Sequence, residues 1–300
     1  MLHFKKRHLL QGAIAALLLA TVACSKKEDT THEPIIDPVV PVTGEYLLRT
    51  LRNFDGTRMD SYDSLVYNDK NQLTDFYTYE NETSANFSRR HVYVYDNAGK
   101  VSWEREYRYN DNGKLVLQQA DSVGWAPGKL IIYSTFPLRG EKYSKDTTTY
   151  LLSNNGVIVG IAPKVLTRDH PTAKYMHEVN YQLQGKDVAK ITSRYFWTDN
   201  HEAPGETSLA YEYDNNINPF HRIFLQNPLF FTQTYYSTGI MLPSEHNVTK
   251  EIVTPVSETN QGTTVVNQYA LNTTILEKQE LTVLPSKSKY TIWYTYIKAK

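Results

Sequence analysis

Over residues 101–109 the chain alternates. Val101, Trp103, Arg105, Tyr107 and Tyr109 fall on one side of an extended backbone, and Ser102, Glu104, Glu106 and Arg108 fall on the other. The period of two returns at Leu209, Tyr211 and Tyr213 against Ser208, Ala210 and Glu212. It returns again at Tyr290, Ile292, Tyr294 and Tyr296 against Lys289, Thr291, Trp293 and Thr295. A period of two with one apolar side predicts antiparallel strands that are wet on one face.

Between the strands a phrase repeats. Tyr95-Asp96-Asn97-Ala98-Gly99-Lys100-Val101 is re-dealt fourteen residues later as Tyr109-Asn110-Asp111-Asn112-Gly113-Lys114-Leu115. A third copy, Tyr67-Asn68-Asp69-Lys70-Asn71-Gln72, lies twenty-eight residues before the first. Asp or Asn opens a type I turn, and Gly or Asn supplies the positive φ that closes it as a hairpin. Fourteen residues fit one strand and one turn. Weaker turn signals follow at Ala126-Pro127-Gly128, Asn154-Asn155-Gly156, Gln184-Gly185-Lys186, Asp214-Asn215-Asn216 and Asn260-Gln261-Gly262. Strands joined this way predict a mainly β body over 45–300, a single broad, curling antiparallel meander.

One stretch breaks the rhythm. Ile217 to Gly239 does not alternate, and Asn218-Pro219 and Asn227-Pro228 each put a capping residue before a helix-opening proline. Two short helices are expected, at about 219–226 and 228–237. Their aromatic residues, Phe220, Phe224, Phe230, Phe231, Tyr235 and Tyr236, are expected to plug the concave side or one mouth of the sheet. The alternative is an aromatic gate over a ligand cavity.

Composition supports the β reading, with 23 Tyr in 300 residues. With 32 basic and 32 acidic residues there is no cationic excess, and no basic patch is evident in the sequence. Nucleic acid is therefore not an expected partner.

The N-terminus reads as an address. Lys5, Lys6 and Arg7 precede an apolar run, Ala13 to Ala23, that is too short to span a bilayer. Cys24 is the only cysteine, so no intrachain disulfide can form. Thr21-Val22-Ala23-Cys24 resembles the lipobox of bacterial lipoproteins, with Thr where Leu is usual. The resemblance implies a signal peptide over 1–23 and acylation of Cys24, which would attach the chain to a membrane. Lys27, Glu28 and Asp29 resemble the export signal of surface lipoproteins in Bacteroidetes, which implies an outer-membrane anchor facing the cell exterior. Residues 24–44, with Pro34, Pro38 and Pro41, form a semi-stiff tether that could reach ~60 Å.

Tyr-Asp-x-x-Gly-Lys-Val itself resembles the YD repeat of bacterial surface proteins, with Lys100 and Lys114 where Arg usually follows the Gly. Lipobox, acidic leader, proline-rich stalk and YD-like meander together resemble an uncharacterised Bacteroidetes lipoprotein domain family described as having a porin-like fold. That resemblance implies an open, barrel-like antiparallel sheet and no established activity.

Catalytic patterns are sparse. The chain holds no Gly-x-Ser-x-Gly elbow, no phosphate-cradling Gly-rich loop and no His-Glu-x-x-His pair. No cofactor or metal is expected. His170 and His177 with Asp169 and Glu178 come closest to a metal cluster, but their spacing forces no convergence. Glu104 and Glu106 share a strand face about 7 Å apart. A glycosidase could use such a pair, although on a charged strand a solvated pair is the ordinary expectation. The preferred reading is an anchored binding or scaffolding lipoprotein. Its partner would be a glycan, received on tryptophans such as Trp103, Trp125, Trp197 and Trp293, or another envelope protein.

Overall fold

The computed structural model describes residues 46–300, apart from 82, 111, 137–143, 155, 167–174, 198–204, 231–241, 255–260 and 272. Cys24 and Lys27, Glu28 and Asp29 lie outside the described residues, as do Phe231, Tyr235 and Tyr236. Among the described residues sixteen strands succeed one another. They are β1 (Tyr46–Asp55), β2 (Arg58–Tyr67), β3 (Leu73–Tyr79), β4 (Arg89–Tyr95), β5 (Val101–Tyr109), β6 (Leu115–Ala126), β7 (Lys129–Phe136) and β8 (Ser144–Leu152). Then come β9 (Ile158–Leu166), β10 (Tyr175–Gln184), β11 (Asp187–Trp197), β12 (Gly205–Ile217), β13 (His246–Thr254), β14 (Gly262–Tyr269), β15 (Leu276–Leu284) and β16 (Ser288–Lys298). Helix α1 (His221–Gln226) follows β12, and helical backbone resumes at 228–230.

Every strand pairs antiparallel with its neighbours in sequence, and β1 pairs with β16 from Tyr46↔Lys298 to Asp55↔Tyr290. The barrel is closed, which corrects the expected open sheet. Closure rests on a pairing across nearly the whole length of the body, where local turn chemistry has no influence. Closing also removes both free strand edges.

The repeated phrase acts at the rims. Asp96 Oδ1 accepts from Lys100 N at 2.9 Å, Gly99 N donates to Asp96 O at 3.0 Å, and Gly99 has φ +77°. Asn110 with Gly113, and Asn68 with Asn71, repeat this geometry. One strand carries the chain to the opposite rim, so copies fourteen residues apart sit at opposite mouths. Those twenty-eight apart return to the same mouth and touch there, Gln72 Nε2 donating to Gly99 O at 3.0 Å. Asp214-Asn215-Asn216 makes no turn. It lies within β12, where the register with β13 shifts between Tyr213 and Ile217, and Asp214 Oδ1 accepts from Asn216 N. A bulge takes up the same sequence chemistry as a turn.

A tyrosine near the end of several even-numbered strands is a latch. Tyr67 Oη donates to Leu48 O, Tyr95 to Leu73 O, Tyr213 to Val188 O and Tyr296 to Leu276 O, each at 2.7 Å. Trp125 Nε1 plays the same part towards Val101 O at 2.9 Å. In each case the last turn of an even-numbered strand is pinned to the start of the preceding odd-numbered one. The latches ring one mouth, the one where α1 enters. Burial pushes these phenols well above the ordinary tyrosine range, so they remain donors.

The segment between β12 and β13 closes on itself at its neck. Asn218 N donates to Glu245 O at 2.8 Å, and Asn218 Nδ2 reaches the carbonyls of Leu242 and Ser244. Inside the neck, Asn218 Oδ1 caps Phe220 N and Asn227 Oδ1 caps Leu229 N, so the two Asn-Pro pairs do open helical turns. The described backbone carries α1 over 221–226, starting two residues after Pro219. The rings of Phe220, Phe224 and Phe230 pack on one another. They meet the barrel at Phe76 of β3 (centroids 5.1 Å) and Tyr294 of β16 (6.2 Å).

Candidate functional site

The plug defines which face of each strand is inner. Phe76 and Tyr294 face it, and the registers carry that face around the wall. Leu65 and Phe76 pair, as do Phe76 and His91, His91 and Glu106, Glu104 and Asp121, and Asp121 and Ser134. Glu104 and Glu106 thus point inward and are 1 % and 7 % exposed, whereas Trp103 on the opposite face is 44 % exposed. The solvated pair expected from the sequence is buried. A sixteen-stranded wall encloses more space than apolar side chains fill, so its interior takes polar ones.

Asp63, His91, Glu104, Glu106 and Asp121 line one arc of the inner wall from β2 to β6. His91 Nδ1 and Glu104 Oε1 share a hydrogen bond of 2.6 Å. The imidazole also stacks on Phe76, centroids 6.0 Å apart, and Phe76 in turn touches the plug. Gln119 Nε2 donates to Asp121 Oδ2 at 2.8 Å, and Asn53 Nδ2 donates to Asp63 Oδ2 at 3.2 Å. Glu106 is held by Arg108 (2.5 Å) and Arg89 (3.7 Å). His91 Nε2 and Asp121 Oδ1 are buried without a hydrogen-bond partner.

Burial dominates the titration of Asp63, His91 and Asp121, whereas the charges around Glu106 hold its carboxyl below the usual range despite burial. Burial lifts Asp63 to about 6 and, with the charge of Glu104 adding to it, Asp121 to about 7; it drives His91 down to about 4. Across the lumen, Glu251 of β13 accepts from Thr263 Oγ1 at 3.4 Å, and burial lifts it to about 7. The arc is a store of titratable carboxyls closed off from bulk water, with His91 neutral at pH 7.

The other expected site residues scatter. Phe220, Phe224 and Phe230 come together in the plug, each 3 % exposed or less. Trp125 is taken up in a latch, with Lys100 Nζ 4.9 Å above its ring, and Trp293 lies on the outer wall under Lys278 Nζ. Asp169 and His170 lie outside the described residues, and His177 and Glu178 are consecutive on β10. Among the described residues no group of three His, Cys, Asp or Glu is placed to hold a metal ion. Sequence reasoning missed Asp63, His91 and Asp121. Parity held the signal, because each stands two residues before an inward apolar or aromatic side chain: Leu65, Tyr93 and Val123.

Fold and interior together define a closed antiparallel β-barrel whose lumen holds an aromatic plug and a buried carboxylate–histidine arc. Among solved structures this chain is similar to a porin-like protein from Bacteroides vulgatus, at 8 % identity over 84 % of this chain and 99 % of that one, with a TM-score of 0.38. It is also similar to a protein of unknown function from Bacteroides fragilis, at 8 % identity over 46 % of this chain and 83 % of that one, with a TM-score of 0.23. No family model and no curated protein matches the chain.

Proposed function

We propose that this is a lipid-anchored envelope protein whose barrel is a water-facing body that binds or scaffolds, held at the outer membrane through Cys24 and displayed outside the cell. One observation carries the reading: the outer wall carries paired charges on β11, β12, β13 and β15. Arg194 pairs with Glu206 at 3.1 Å, Lys250 with Glu212 at 2.9 Å and Lys278 with Glu280 at 2.5 Å, all on outward faces of β11 to β15. A lipid-spanning barrel needs an outward apolar band, and charges on its midplane cost about 2–4 kcal/mol each. Membrane attachment therefore falls to the acylated cysteine, and the plugged lumen suits a holder better than a conduit. No catalytic role is assigned.

Fractionation tests it. The wild-type protein should sediment with outer membranes and be clipped by protease on intact cells, while a periplasmic marker survives. Cys24→Ala should shift it to the soluble fraction. Membrane retention of that variant, or ion conductance by the purified barrel in a planar bilayer, would overturn the reading.

A further inference from the structure

The outer wall is not uniform. Of the large apolar side chains exposed among the described residues, six belong to adjoining strands: Val94 (39 %), Trp103 (44 %), Tyr109 (37 %), Leu115 (37 %), Leu117 (38 %) and Tyr133 (47 %). Register places them together. Val94 pairs with Trp103, Trp103 with Ser122, and Ser122 with Tyr133, which makes one row across β4 to β7. Tyr109 pairs with Leu115, and Tyr107 with Leu117, towards the mouth opposite the plug. Charge follows the same boundary. Arg105 and Lys129 are exposed on these strands, and Arg90 lies at the border, bound to Asp75 of β3 at 2.7 Å. The acidic residues of β4 to β7, Glu104, Glu106 and Asp121, all point into the lumen. The wall from β4 to β7 is therefore apolar and cationic, whereas β11 to β15 carry both signs in pairs.

We propose that this wall is a peripheral docking face for an anionic lipid surface. Aromatic residues with polar tips settle at headgroup depth, leucines reach the acyl boundary, and cations meet the phosphates. A neutral glycan would leave the cationic bias without a counterpart. Docking is one-sided, because the paired charges on β11 to β15 exclude deeper insertion. The inference does not depend on acylation of Cys24, so its test omits the lipid anchor.

Residues 45–300 contain all sixteen strands of the closed barrel and serve for the experiment. Vesicles of phosphatidylcholine, with or without phosphatidylglycerol, are sedimented with this body. Each basic residue at an anionic surface contributes about fivefold in affinity, so at least about tenfold preference for the anionic vesicles is expected, declining with salt. Tryptophan emission should shift to the blue on binding. Arg105→Glu should abolish the preference and Trp103→Ala the spectral shift, while Trp293→Ala, on β16 outside that face, binds as wild type. All three are surface changes, and unaltered melting curves will show the fold intact. Equal partition into both vesicle types, no sedimentation, or retention on an acidic polysaccharide without vesicle binding would each overturn the proposal.

Discussion

His91 Nδ1 lies 2.6 Å from Glu104 Oε1, on the inner faces of adjacent strands, with 3 % and 1 % of the two side chains exposed. The pair is diagonal in register: His91 stands opposite Glu106, and Glu104 opposite Tyr93. Such a pair is costly to bury and costlier to break, since removing one partner leaves the other without its complement. His91→Phe keeps the stack on Phe76 but removes the hydrogen bond between His91 and Glu104. It should destabilise the barrel by about 3 kcal/mol. His91→Phe combined with Glu104→Leu should recover most of that loss in denaturant unfolding. A double variant as unstable as the single one would show that Glu104 is held by other groups.

Stability should fall as pH rises from 6 to 8. Asp63, Asp121 and Glu251 have folded-state values raised to about 6, 7 and 7. A raised carboxyl stabilises fully below its unfolded value near 4, and the contribution is lost as pH climbs through the folded value. His91, lowered to about 4, works the other way, costing stability as pH drops from 6.5 towards 4. Three carboxyls against one imidazole leave the acidic side of neutrality favoured. A melting series should show a higher Tm at pH 6 than at pH 8. Asp121→Asn should flatten the slope, by about 2 kcal/mol at the alkaline end. A flat wild-type profile would mean that the arc is hydrated.

The tyrosine latches should be worth about 1 kcal/mol each. Tyr95→Phe removes only the hydroxyl that reaches Leu73 O, and leaves the ring. Tyr67→Phe and Tyr213→Phe make the same deletion at other hairpins. Tyr95 donates to Leu73, the cross-strand partner of Tyr67, so these two should couple, whereas the loss at Tyr213 should add to theirs within a few tenths of a kcal/mol. Equilibrium unfolding of the single and triple variants measures this.

Phe230 is fully buried between Phe76, Phe220 and Phe224. Phe230→Ala should cost about 3–5 kcal/mol if the plug belongs to the cooperative core. If the plug is an independently mobile gate, the global unfolding midpoint should barely move, and hydrogen exchange should accelerate only over residues 218–245.

Hairpins were legible from the sequence because their chemistry is local. Asp96, Gly99, Asn110 and Gly113 carry their own geometry wherever they stand. The two Asn-Pro helix openings were legible for the same reason. Closure was not, since nothing near Leu51 records that Tyr294 will lie opposite it. Sidedness failed on β5 in particular: glutamates on one face and Trp103 on the other suggest a wet face and a core, and the structure reverses them. The hydrophobic pattern assigns faces reliably when the core is apolar, as at Leu209 and Ile292. It misleads where a wide lumen takes the charges and the outer wall takes the rings. The arc of Asp63, His91 and Asp121 joins strands up to fifty-eight residues apart, so only register could assemble it.

The β1–β16 seam sets an order on folding. β1, the first of the sixteen strands in chain order, is paired on one side within a dozen residues, through Arg52↔Tyr62 and its neighbours. On its other side it must wait for β16, Ser288–Lys298, fifteen strands later in the chain. Until then Leu47, Leu48 and Leu51 border an open edge that any extended segment could occupy. The slow event in closing the barrel is thus the meeting of β1 with β16. A chain halted before residue 288 would keep every hairpin but the last, β15–β16, and still carry two adhesive edges, making it a substrate for chaperones and proteases.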